Sequence, residues 1–142
     1  MMKKTLFFLS LVFLLKSVPS FSNGLTLETI GAMGASNIYL TYLSIGVLAD
    51  GYENKVYDKQ QAQQMVKELL SLAGVTKGYL DKLIQERVLT GDDIRFAKEM
   101  IHTYNLLIEE GDAFIRYIST NNRKDAEAFQ SYRKQAWDKI SS

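Results

Sequence analysis

The sequence has 142 residues, with 17 basic and 16 acidic side chains, one His, one Pro and no Cys. Within these residues that excludes iron–sulfur clusters, thiolate zinc, covalently attached haem, a cysteine nucleophile and any site needing two histidines. Charge that is well mixed and close to neutral leaves no electrostatic footprint for nucleic acid or for an anionic membrane surface.

The chain opens with a positive stretch, Met1-Met2-Lys3-Lys4, followed by the apolar run "TLFFLSLVFLL" at residues 5–15. "SVPSFS" then supplies a helix breaker, Pro19, and small residues at Ser20 and Ser22. That order predicts a secretory signal peptide over residues 1–22, cleaved after Ser22. The apolar run is shorter than the roughly 20 residues a spanning helix needs. Cleavage removes Lys3, Lys4 and Lys16, so 17 bases become 14 against 16 acids, a net charge of −2. The expected address is outside the cytoplasm, periplasmic or secreted. The remainder, residues 23–142, is one domain's worth of chain, and without disulfides its core must hold it together.

No proline follows Pro19, so long uninterrupted helices are allowed. Turn-rich clusters at 50–58, 89–93 and 120–125 divide the chain into four segments, at about 26–52, 58–88, 92–120 and 123–140.

The first segment contains "TIGAMGASNIYLTYLSIGVLA", residues 29–49, which carry no charge at all. It is long enough to cross a membrane, but Ser36, Asn37, Thr41 and Ser44 are groups that a lipid-facing helix avoids. Its glycines suit close packing either in a bundle core or between membrane helices. The expectation is a core helix covered by three amphipathic partners. The alternative is a membrane-associated structural or pore-type component with residues 29–49 in lipid. Thr26, with Glu28 in the first turn, marks the expected start. Asp50, Glu53 and Asp58, with Tyr52 and Tyr57, form either a cation or partner site or a set of caps and solvated loop groups; their spacing is not that of a calcium loop.

In the second segment Asp58 and Gln61 are placed for a reciprocal cap. Its seam runs through Ala62, Met65, Leu69, Leu72, Thr76, Tyr79 and Leu83, with Val66, Ala73 and Leu80 beside it. Gly74 and Gly78 each cost up to about 1 kcal/mol relative to Ala. One helix with a weakened middle is expected, with two shorter helices as the alternative.

The third segment begins at Thr90, with Asp93 three residues on, and its seam runs through Ala97, Ile101, Tyr104, Ile108 and Gly111. Glu99-Met-Ile-His102 has the Glu-x-x-His spacing of di-iron bundle sites, but those need a second copy, and His102 is the sole histidine. Both residues fall on the face away from the seam, so no metal site is expected. Glu109, Glu110 and Asp112 are expected in solvent, with Gly111 admitting a neighbouring helix. The fourth segment starts at Asn122, with Asp125 three residues on placed to reach back as at the other starts, and shows a shorter face through Phe129, Tyr132, Ala136 and Ile140.

Short connections between such helices predict an all-α, antiparallel, up-down-up-down four-helix bundle. Tyr39, Tyr42, Tyr79 and Tyr104 lie on or near seams. They are either candidate ligand-binding residues lining a pocket or core tyrosines bonded across helices. Phe129, Tyr132 and Trp137 are candidate contacts for a protein partner. No nucleophile–base set, phosphate-binding loop or paired-carboxylate arrangement is identifiable. The expected function is therefore non-enzymatic: binding of a protein partner or a small apolar ligand, without cofactor, nucleic acid or membrane integration, and compatible with a homo-oligomer.

At "IGVLADGYENKVYD" (45–58), "YNLLIEEGDAFIRY" (104–117) and "AWDKI" (136–140) the chain resembles a group of small exported bacterial helical-bundle proteins to which no function is assigned. Gly51 and Gly111 stand where that group tends to place Ala. The resemblance implies an exported bundle and no reaction. The architecture is also similar to the four-helix sensory modules outside bacterial inner membranes.

Overall fold

The computed structural model describes residues 23–142. The expected signal peptide, residues 1–22, lies outside the described residues. Four helices follow: α1 (Asn23–Glu53), α2 (Lys59–Gln85), α3 (Gly91–Thr120) and α4 (Arg123–Ile140), with no strand among the described residues. The chain divides into two units, Met1–Ile30 and Gly31–Ser142. Residues 23–30 form the opening turns of α1. The packing described next is within Gly31–Ser142.

Local chemistry sets most of the boundaries. Asp58 Oδ1 accepts from the Gln61 amide at 2.8 Å, and Gln61 Oε1 accepts from the Asp58 amide at 3.0 Å, so two orphan donors at the start of α2 are satisfied reciprocally. Asn122 caps α4 by accepting from the Lys124 amide at 2.9 Å. Asp125 does not reach back; it takes Arg116 at 3.3 Å and the Thr120 hydroxyl at 3.1 Å. Thr90 makes no side-chain cap, contrary to expectation, and α3 instead starts from Gly91 at φ +51°. Thr26 lies inside α1 and so does not begin it. α2 is continuous through Gly74 and Gly78 and stops three residues short of the expected end, where Arg87 takes φ 57°.

The most buried helix is α3, with Met100, Tyr104, Leu107, Glu110, Ala113 and Phe114 all inside. Phe114 meets Phe129 of α4 at 5.4 Å between ring centres and Tyr52 of α1 at 6.0 Å, edge on. Each large apolar side chain buried in this way contributes about 1.5–3 kcal/mol. Thr41 and Thr103 are buried as well, and each donates its hydroxyl to the carbonyl one turn back, at 2.8 and 2.9 Å.

Gly111 brings α2 and α3 together: a Cβ there would overlap Leu70. This approach selects the face of α2 that packs. Ala62, Val66, Ala73 and Leu80 are its buried residues, while Met65, Leu72 and Tyr79 are exposed. Ala62 is buried as the seam predicts, but from Met65 onward the buried face is displaced by about one residue around the helix.

α1 also differs from the expected fully covered core helix. One stripe, through Gly34, Ile38, Thr41, Ile45 and Leu48, is buried. Gly34 accommodates Met100 of α3, and Gly46 accommodates Arg133 of α4; an added Cβ would overlap both. The opposite stripe, with Met33, Leu40, Leu43 and Val47, is exposed.

Candidate functional site

The four candidate tyrosines are not brought together. Tyr39 and Tyr79 are exposed, on α1 and α2. Tyr104 is in the interior, where its hydroxyl donates to Asn37 Oδ1 at 2.8 Å. Burial raises its pKa, against a smaller lowering effect of the Thr76 hydroxyl. Tyr42 is half-buried and stacks on Trp137 with ring centres 5.5 Å apart. The three α4 candidates separate too: Phe129 is in the core, Tyr132 is half-buried, and Trp137 is 43% exposed.

Glu99 and His102 are exposed on α3, and Glu99 pairs with Lys139 at 3.0 Å. The hydrogen bond and charge of Lys139 hold the Glu99 carboxyl below its ordinary value. Tyr52, Glu53, Tyr57 and Asp58, with Lys59 and Tyr117, border a shallow depression at the α1–α2 turn.

Two features stand out that were not read from the sequence. The first is Glu110, expected in solvent and found fully buried. Its Oε1 accepts from Arg133 Nη1 at 2.7 Å, while Oε2 has no hydrogen-bond partner. Arg133 lies 4.3 Å over the Tyr42 ring and donates to the Tyr42 carbonyl at 3.3 Å. Burial pushes the Glu110 carboxyl up to about 7, against the pull of the Arg133 hydrogen bond and charge. A charged residue beside a glycine in a seam, with an arginine on the facing helix, was the available signal. The seam period alone assigns Glu110 to neither face, because it flanks Gly111.

The second is an open apolar groove between α1 and α2, of about 460 Å³. Leu40, Leu43 and Val47 form one wall, Met65, Glu68 and Leu72 the other, and Leu48 and Leu69 lie at its base. Leu40, Val47 and Leu72 are each about 60% exposed, at 59%, 62% and 64%. A contiguous apolar surface of this kind marks an interaction site more often than a bare protein exterior. With only Glu68 charged among these residues, the groove can exclude water and hold an apolar surface. Ser44 and Tyr57 complete its lining.

Among the described residues, no group of three or more His, Asp or Glu side chains is placed to hold a metal ion. Comparison with protein-family models, with curated proteins and with solved structures finds no match to this chain.

Proposed function

We infer that this is an exported, non-enzymatic helical-bundle protein, periplasmic or secreted, that acts by binding an apolar surface in the groove between α1 and α2. The observation that carries this is the groove itself, with large apolar side chains left exposed on both walls. The export rests on the order of charged, apolar and small residues over 1–22. The helices are taken to run up-down-up-down. Supporting this, contacts between α3 and α4 pair Arg116 with Asp125, Glu110 with Arg133 and Glu99 with Lys139, so the numbers run in opposite senses. Contacts of α2 with α3 do the same: Lys59 with Ser119, then Leu70 with Gly111. With its net charge near zero, the protein has no nucleic acid among its expected partners.

A second reading has its own observation. Thr26–Glu53 is long and apolar enough to cross a membrane; its most apolar 18-residue window has a mean hydropathy of 1.3, and only 39% of that window is buried. In that reading α1 belongs to a membrane-associated structural or pore-type component. Alkaline extraction of membranes, with the intact mass of the recovered chain, separates the two. Soluble protein beginning near Asn23 is expected. Protein retained in the washed membrane after loss of residues 1–22 would overturn the soluble reading.

A further inference from the structure

We propose that the occupant of the α1–α2 groove is a second copy of this chain, packed across a two-fold axis; this rests on the groove being the binding face. The spacing of the exposed residues is the starting observation. Met33, Leu40, Leu43 and Val47 on α1, with Ser36 between, repeat at 3-4 intervals. Leu72, Val75 and Tyr79 on α2 continue the same repeat from Met65 through Glu68. Each of these helices therefore carries two seams, one turned into its own bundle and one turned out. A 3-4 repeat sustained on both walls fits the side chains of another helix, knob into hole. A small ligand has no need of that period.

The identity of the second helix follows from charge and symmetry. Partner choice between different helices is set by charges flanking the seam. Here the flanking positions are Tyr39 and Ser44 on α1, and Gln64, Ser71 and Thr76 on α2, all uncharged. Two identical faces can meet without opposing like charges. An isologous contact needs a surface complementary to itself, and this one carries both a groove and the ridges to fill it. In an antiparallel α2–α2 pairing, Leu72 faces Val75 of the second copy. The same register sets Glu68, the one charged wall residue, against Tyr79 of the second copy, whose hydroxyl can donate to the carboxylate. The exposed portions of these side chains are of the same order as the area each partner of a stable interface buries, roughly 800 Å².

The test is the mass in solution of the full chain purified from the producing cell, by light scattering across about a hundredfold range of concentration, with a dye, 1-anilinonaphthalene-8-sulfonate, as a second readout. The expected result is a dimer for the parent chain and at least tenfold weaker pairing for Leu72→Glu and for Leu40→Glu, both keeping full helical circular dichroism. The two walls are tested separately, so a folding failure in one variant leaves the other decisive. A parent chain that stays monomeric, or a dimer indifferent to both variants, overturns the pairing. A monomer that binds the dye and loses it in Leu72→Glu overturns the second copy while keeping the groove as a binding face. A monomer that binds no dye overturns both. A monomer that partitions onto neutral phosphatidylcholine vesicles through the same leucines assigns the groove to lipid and also overturns the pairing.

Discussion

Arg133 of α4 reaches into the bundle and donates Nη1 to the buried Glu110 carboxylate of α3 at 2.7 Å, while its guanidinium lies over the Tyr42 ring of α1. One side chain thus ties three helices together and supplies the counter-charge for an acid with no exposure to water. Gly46 makes room for it, since an added Cβ would overlap the guanidinium. Removing the arginine leaves a buried carboxylate uncompensated. Arg133→Met is expected to cost about 3 kcal/mol at a pH near 8. The loss should be smaller near pH 5, where the carboxyl takes a proton instead. Urea unfolding at both pH values checks this; an equal loss at both would contradict it.

The same acid sets a pH dependence in the parent protein. Its folded pKa, about 7, stands above the ordinary value of 4.5. Between those values the native state holds a proton that the unfolded chain has released, so this group makes stability fall as pH rises from about 4.5 to about 7. The span corresponds to about 3 kcal/mol. Glu99 acts the other way: Lys139 lowers its pKa, so the stability it contributes is lost as pH falls below its ordinary value. The urea midpoint should therefore be higher near pH 5 than near pH 8. A midpoint that rises over that interval would contradict the burial of Glu110.

Glycines at three positions should respond with opposite signs, Gly111 one way and Gly74 and Gly78 the other. Gly111→Ala forces a methyl group into Leu70 and is expected to cost about 1–3 kcal/mol. At Gly74 and Gly78 an added Cβ meets nothing within 4 Å, so Ala there is expected to stabilise α2 by about 0.5–1 kcal/mol at each position. Thermal unfolding of the three variants reads both signs. Destabilisation by Gly74→Ala would mean that α2 needs flexibility at its centre.

Tyr104 and Asn37 should be coupled. Tyr104→Phe removes the hydroxyl that donates to Asn37 Oδ1 and is expected to cost about 1 kcal/mol. Asn37→Ala should cost a similar amount, and the double variant less than the sum of the two. Strict additivity in a double-mutant cycle would show that the bond contributes nothing.

What could be read from the sequence divides along physical lines. Four helices were legible because 3-4 spacing and turn clusters are local signals, and the Asp58–Gln61 cap follows from four consecutive residues. The rotational phase of α2 was not. Val66, Ala73 and Leu80 on one side and Met65, Leu72 and Tyr79 on the other are equally apolar. The choice between them is made by Leu70 meeting Gly111, 41 residues away. Glu110 was misread for a related reason: acidic residues on helices are usually solvated, and the arginine that makes its burial tolerable comes from another helix. Thr90 was given a cap because its sequence pattern allows one, whereas Gly91 at positive φ turns the chain without it. The groove could have been found as a second apolar repeat on α1. With no charge anywhere in residues 29–49, however, periodicity there does not distinguish an inner face from an outer one.

The most direct measurement is whether the groove is covered where the protein works. The chain has no cysteine, so single thiols report without background. Val47→Cys places one on the groove wall, and Lys98→Cys places one on the exposed face of α3. Intact producing cells are treated with a membrane-impermeant maleimide, and the same variants are treated after purification and dilution. The groove thiol should be protected in cells and reactive after dilution, with the Lys98→Cys thiol reactive in both. Equal labelling of the two thiols in cells would mean that the groove stands empty, and would contradict its role as the binding face.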